Sequence, residues 1–276
     1  MLSFLPTNRW SLPAGFLSGL VLAFCSLLSA CGSLSTAAGA NSGEILTDSD
    51  EPDARRRARL RLELALGYFE QAKYTYALDE TKQAIASDPG FADAHNVRGL
   101  IYMRLNDMGL AEDSFKRALS LKPTDGNILH NYGWLLCQQA RYADAERVFS
   151  QALVLPNYSG RAKTWLTQGL CQMQAGKLAQ AEVSFTKSFE LDALNPVSTY
   201  NLGLLLYRRA EYQRAQFYIR RLNSGPLANV ESLWLGVKIE RRLGSRTSTE
   251  QLSSQLRMRY PKSREAELLD RGAFDE

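Results

Sequence analysis

The chain has only two histidines, His95 and His130, and four cysteines among its 276 residues, and none stands at metal-ligand spacing. There is no HExxH, no CxxC and no EF-hand loop, so no resident metal is expected. Walker-type glycine loops and Gly-x-Ser-x-Gly are also missing, which removes the common nucleotide and acyl-transfer chemistries. No enzyme activity, cofactor or small-molecule substrate is expected. The net charge is only +4 and is spread along the chain, so nucleic acid is not the expected partner. The longest uncharged apolar run, residues 15–30, falls short of the ~20 residues that cross a bilayer as a helix. Four cysteines do not make a disulfide framework on this length. Cys137 and Cys171 lie in apolar, helical-looking stretches and are expected to be free buried thiols rather than a bridged pair.

What is present begins at the amino terminus. GFLSGLVLAFCSLLSA follows Arg9 as an h-region follows a short basic n-region, which predicts a cleaved export signal over residues 1–30. Its end, Leu28-Ser29-Ala30-Cys31, resembles the bacterial lipobox, where cleavage leaves the cysteine first and acylated. On that reading Cys31 is a membrane anchor with more than one acyl chain, and multiple chains hold where a single one binds marginally. Gly32 in place of an aspartate implies passage to the outer membrane. Residues 31–53, rich in Gly, Ser, Ala and acids, predict a flexible tether with a reach of roughly 26 Å.

The rest of the chain repeats. Ala65, Gly99, Gly133, Gly169, Gly203 and Gly236 are spaced by 34, 34, 36, 34 and 33 residues. Ala77, Ala111, Ala145, Ala181 and Ala215 run in parallel, and Phe115, Phe149 and Phe185 each follow their alanine by four. A small residue before an aromatic, then Ala-x₃-Phe, then Pro89 or Pro123 is the tetratricopeptide pattern of paired antiparallel helices. The fold class is therefore all-α, a tetratricopeptide-repeat superhelix over residues 54–264 followed by a tail over 265–276. Five full units are expected, about 58–91, 92–125, 126–161, 162–195 and 196–228, with a degenerate sixth that carries Ser248 where alanine belongs. The two additional residues between units three and four fall at Pro156–Gly160, a turn-rich stretch.

Stacked repeats bind along the concave face lined by their first helices. The groove positions are Leu62, Leu66 and Phe69 in unit one, Asn96, Leu100 and Met103 in unit two, and His130, Trp134 and Cys137 in unit three. Units four and five supply Leu166, Leu170, Met173, Tyr200, Leu204 and Tyr207. An apolar, aromatic groove suits an amphipathic helix or a short hydrophobic strand. Leu62 and Leu66 stand where carboxylate-clamping repeats carry basic and amide side chains, which argues against a chaperone-tail adaptor. Arg55, Arg56, Arg57, Arg59 and Arg61 form the densest basic run, expected to be a solvated helix face rather than a lipid-binding patch.

A lipobox, a polar tether and the segments ARRRARLRLELALGYFEQAKYTYAL, NYGWLLCQQARYADAERVFSQAL and NPVSTYNLGLLLYRRAEYQRAQFYIRRL together resemble the PilF/PilW family of type IV pilus biogenesis lipoproteins, over residues 31 to about 260. The resemblance implies a pilotin, a non-enzymatic outer-membrane lipoprotein, acylated on Cys31, that binds subunits of the pilus secretin and promotes their assembly. It also associates partner binding with the first repeats. Two alternatives stay open: an outer-membrane repeat lipoprotein serving barrel assembly or peptidoglycan hydrolases, and a cell-wall enzyme.

Overall fold

The computed structural model describes residues 50–275, so the export signal, Cys31 and most of the tether lie outside the described residues. Thirteen helices follow one another among the described residues. They pair as α1 (Asp53–Glu70) with α2 (Tyr74–Ser87), α3 (Ala92–Arg104) with α4 (Met108–Leu121) and α5 (Gly126–Gln138) with α6 (Tyr142–Leu153). The series continues with α7 (Arg161–Gln174) and α8 (Leu178–Leu191), α9 (Pro196–Arg208) and α10 (Tyr212–Asn223), and α11 (Val230–Arg242) and α12 (Arg246–Arg259). Each pair packs together and onto the next, so the chain is the expected tetratricopeptide array.

The repeat holds because each first helix carries a hole that its second helix fills. A Cβ on Gly99, Gly133 or Gly169 would lie 2.6, 2.6 or 2.7 Å from the ring of Phe115, Phe149 or Phe185, each fully buried. In the fifth unit Ile219 takes the place of the ring against Gly203. Where the large side chain is lost, its neighbour grows: unit one sets Ala65 at the position that faces Thr81, both fully buried. Close packing at near-crystalline density makes these substitutions paired rather than free.

Helix starts keep a 34-residue step from unit five to unit six, α9 to α11 and α10 to α12. The position equivalent to Gly203 is therefore Val237, not Gly236, and the position of the repeat alanine is Thr249, not Ser248. Gly236 sits one residue earlier, where a Cβ would meet Asn223 of the preceding repeat at 2.7 Å and Leu252 of its own second helix at 3.0 Å. The 33-residue spacing read from the sequence was a slip of one residue onto a glycine with another job. Residues set apart as a tail begin with α13 (Arg264–Asp270), where Ala266 is buried and Leu268 and Leu269 pack against Leu233, Trp234, Val237 and Leu256.

Between the helices of every pair one residue turns left-handed: Ala72, Asn106, Ala140, Gly176, Ala210 and Gly244, with φ of 56, 62, 59, 74, 60 and 72°. Each ends its helix in a Schellman turn, as where Ala140 N–H donates to Cys137 O at 2.9 Å and Arg141 N–H to Leu136 O at 2.9 Å. Alanine pays a steric penalty there that glycine does not. Ala140→Gly is expected to raise the unfolding free energy by about 1 kcal/mol and Gly176→Ala to lower it by a similar amount, read as opposite shifts in urea midpoint at constant m-value.

The expectation of free thiols is overturned. Cys137 on α5 and Cys171 on α7 form a disulfide across neighbouring first helices, with Cα atoms 5.8 Å apart. Cys137 is consequently 1% exposed and no part of a groove lining. The two helices touch side by side, so the two thiols meet although each is also packed as a core side chain.

Four of the five arginines of the basic run on α1 form ion pairs. Arg55 pairs with Asp88, Arg56 with Asp53 at 3.1 Å, Arg59 with Glu51 and Glu63 at 3.3 and 3.1 Å, and Arg61 with Glu80 at 3.0 Å.

Candidate functional site

The first helices of units one to four lie side by side, α1 against α3, α3 against α5 and α5 against α7. Their exposed edges enclose a concavity of about 380 Å³. Its apolar wall is Phe69 at the end of α1, Leu100 and Met103 on α3, Trp134 on α5 and Leu170 on α7. Leu100, Trp134 and Leu170 each directly follow the glycine of their own repeat, so one structural rung supplies one apolar side chain per unit.

The structure brings Phe69, Leu100, Met103, His130, Trp134 and Leu170 together at this site and leaves the other expected positions out of it, three of them in units one and two. Leu62 is buried at 7% exposure in the core with Ala58, Ala65 and Ala77, because it faces α2 and α3 rather than the groove. Leu66 is exposed but outside the concavity. Asn96 accepts a hydrogen bond from the Asn131 amide at 3.1 Å, a side-chain bridge between α3 and α5 that positions Asn131 at the site's edge.

The sequence reading missed the polar rim. Arg104, Lys163, Gln138 and Thr167 complete the lining, with no carboxylate among the lining side chains. Arg104 closes one end with its guanidinium carbon 5.9 Å above the Phe69 ring. The rim was overlooked because Arg104 is the last residue of α3 and Lys163 is in the first turn of α7, both beyond the consensus groove positions. The site can therefore hold apolar side chains on its wall and accept acidic groups at its edge.

His130 is the buried floor of this concavity. Its Nδ1 lies 2.9 Å from Thr164 Oγ1, and the Tyr158 hydroxyl lies 2.7 Å from the same oxygen. The loop that lengthens the spacing between units three and four carries Tyr158, whose ring fills the space a Cβ on Gly126 or Gly160 would need. Burial, with Lys163 nearby, pushes the His130 pKa down to about 4, so the imidazole is neutral at pH 7. His95 is likewise lowered by burial and sits 3.1 Å from Pro89 O through Nε2.

A second hollow of about 350 Å³ lies among α10, α11 and α12, beside Gly236. Glu240, 1% exposed, crosses its wall to Arg220 at 2.7 Å and to Gln216 at 2.9 Å. That buried carboxylate is fully paired and braces unit five against unit six.

Two family models, both for the tetratricopeptide repeat, match residues 62–126 and 114–147. The chain is 29% identical over 219 residues to the type IV pilus assembly protein PilF of Pseudomonas aeruginosa, spanning 79% of this chain and 86% of that relative. A solved structure of Pseudomonas aeruginosa PilF superposes with a TM-score of 0.71 at 27% identity, over 80% of this chain and all of the other. The crystal structure of PilW, described as a widely conserved type IV pilus biogenesis factor, superposes with a TM-score of 0.67 at 28% identity, over 77% of this chain and 97% of the other.

Proposed function

We propose that this chain, a PilF/PilW-like tetratricopeptide-repeat protein of type IV pilus biogenesis, is a pilotin: an outer-membrane lipoprotein, anchored through acyl chains on Cys31, that holds pilus secretin subunits while they assemble. The observation that carries the reading is the concavity of units one to four, with apolar side chains on four successive first helices and cations at its rim. A groove so lined fits a segment of a protein partner with apolar anchors and flanking acids, bound as a helix or strand. The Cys137–Cys171 bridge supports a periplasmic array, since structural disulfides persist in oxidising compartments. The mechanism is a tethered scaffold and not catalysis. Acyl chains supply the membrane address, the tether supplies reach, and tethering raises the effective concentration of partner so that modest affinity suffices.

Outer-membrane fractions of wild-type, deletion and Cys31→Ala cells, probed for heat-resistant secretin multimers, test this. Loss of multimers on deletion supports the pilotin; an untouched secretin with altered barrel proteins or cell-wall turnover overturns it. Leu100→Arg with Leu170→Arg is expected to cut secretin capture at least tenfold, a loss of about 1.4 kcal/mol or more. Leu66→Arg, outside the concavity, is expected to capture as wild type does. Thermal melts of both variants check that the array stays folded, and wild-type capture by the double variant would remove the groove from the mechanism.

A further inference from the structure

The rungs that form the concavity continue into the sixth repeat. A step of 34 residues from Tyr200, Leu204 and Tyr207 arrives at Trp234, Lys238 and Arg241 on α11. These are the rungs that hold His130, Trp134 and Met103 at the other end. Here the wall is aromatic and the rim is strongly basic: Lys238 Nζ lies 5.5 Å from the Trp234 ring and 5.7 Å from the Tyr207 ring, with Arg241 and Arg242 following.

This stretch of groove is already filled, and by the chain itself. After α13, Gly272 turns left-handed at φ 67° and returns Phe274 to Trp234, ring on ring at 5.5 Å and 22°. The Arg241 guanidinium carbon lies 4.0 Å from the Phe274 ring centroid, and Asp275 pairs with Arg242 at 2.7 Å. An aromatic side chain followed by a carboxylate thus meets an aromatic wall followed by cations. The hold is light. Asp275 is 85% exposed and Arg242 49%, and ion pairs so exposed are weak.

We propose that the groove face of the sixth repeat is a second peptide site, specific for an aromatic residue followed by an acidic one, and that Phe274 and Asp275 keep it closed until a partner segment of the same chemistry displaces them. The site is separate from the concavity of units one to four and stands whether or not the partner there is a secretin. Stacking of the ring on Trp234 supplies contact area, the guanidinium of Arg241 adds a cation–π contact, and Lys238 and Arg242 select the acid. The tethered segment competes at roughly millimolar effective concentration, so only a partner of comparable chemistry opens the site.

The test uses the full chain and a fluorescein-labelled peptide of sequence Arg-Gly-Ala-Phe-Asp-Glu, read by fluorescence anisotropy. A Phe274→Ala, Asp275→Ala variant is expected to bind the peptide at least tenfold more tightly than wild type. Adding Lys238→Glu and Arg241→Glu to that variant, the first half-buried and the second exposed, is expected to abolish binding, and a Phe-Lys peptide is expected not to bind. Equal affinity for wild type and the opened variant, no binding to either, or binding that survives the charge reversals overturns the proposal, the first two leaving the segment as a cap alone. A wild-type dimer in sedimentation velocity that Phe274→Ala dissolves also overturns it, by assigning the segment to a second copy of the chain.

Discussion

Replacing Cys137 and Cys171 together by alanine is expected to lower the unfolding free energy by about 3–4 kcal/mol. The bridge joins residues 34 apart, and loop-closure entropy removed from the unfolded chain over such a span is worth about that much. Both sulfurs are also buried in the core of unit three, so the double alanine adds a packing loss to the entropic one. In a repeat array each unit is held by its neighbours, and this bridge ties unit three to unit four where the loop between them is longest. Urea unfolding of the oxidised, reduced and doubly substituted chains separates the contributions: the reduced chain should fall most of the way and the double variant slightly further. A reduced chain within about 1 kcal/mol of the oxidised one would mean that packing alone holds the two units.

The second large effect is in acid. His130 is 5% exposed with its pKa at about 4, against 6.5 for the free side chain. Between those values the unfolded chain binds a proton that the folded chain refuses, so stability is complete above pH 6.5 and declines as pH falls toward 4. The total loss is about 3 kcal/mol. His95, lowered in the same direction by burial, steepens the decline. Carboxylates act lower down: burial alone would raise Glu112, but Arg141 and Lys116 outweigh it and hold it at about 2, so its contribution fades only as pH drops below 4.5 toward 2. His130→Gln should flatten the slope of unfolding free energy between pH 5 and 6.5 while costing about 1–2 kcal/mol at pH 7 for the disturbed contact with Thr164. An unchanged slope would show that His130 is not the buried neutral base.

How much of this was legible in the sequence follows from what a repeat does and does not encode. Gly99, Gly133 and Gly169 with Phe115, Phe149 and Phe185 announce the helix pairs because close packing forces hole and ring to recur together. The same rule explains the slip at Gly236: a glycine alone carries no register, and only Val237 with Ser253 in the partner helix fixes it. Groove positions were readable where one rung lines the concavity, as for Leu100 and Trp134. They failed at Leu62, whose rung turns inward here as it does at His130 and Trp234, all three buried. The disulfide escaped because Cys137 and Cys171, although 34 apart, are not equivalent positions. The two-residue insertion puts Cys137 four past its glycine and Cys171 two past its own, and only the side-by-side contact of α5 and α7 makes them meet.

The even succession of first helices turns the concavity into a ruler. Neighbouring helices pack roughly 9–10 Å apart, and the wall from Phe69 on α1 to Leu170 on α7 crosses three such steps, roughly 27–30 Å. An extended peptide advances about 3.3 Å per residue, so it would offer one anchor to every third residue and need about nine residues to reach from end to end. A helical ligand advances about 1.5 Å per residue and would need about five turns. The partner's sequence should betray which it is, through apolar residues recurring either every third position or twice as far apart.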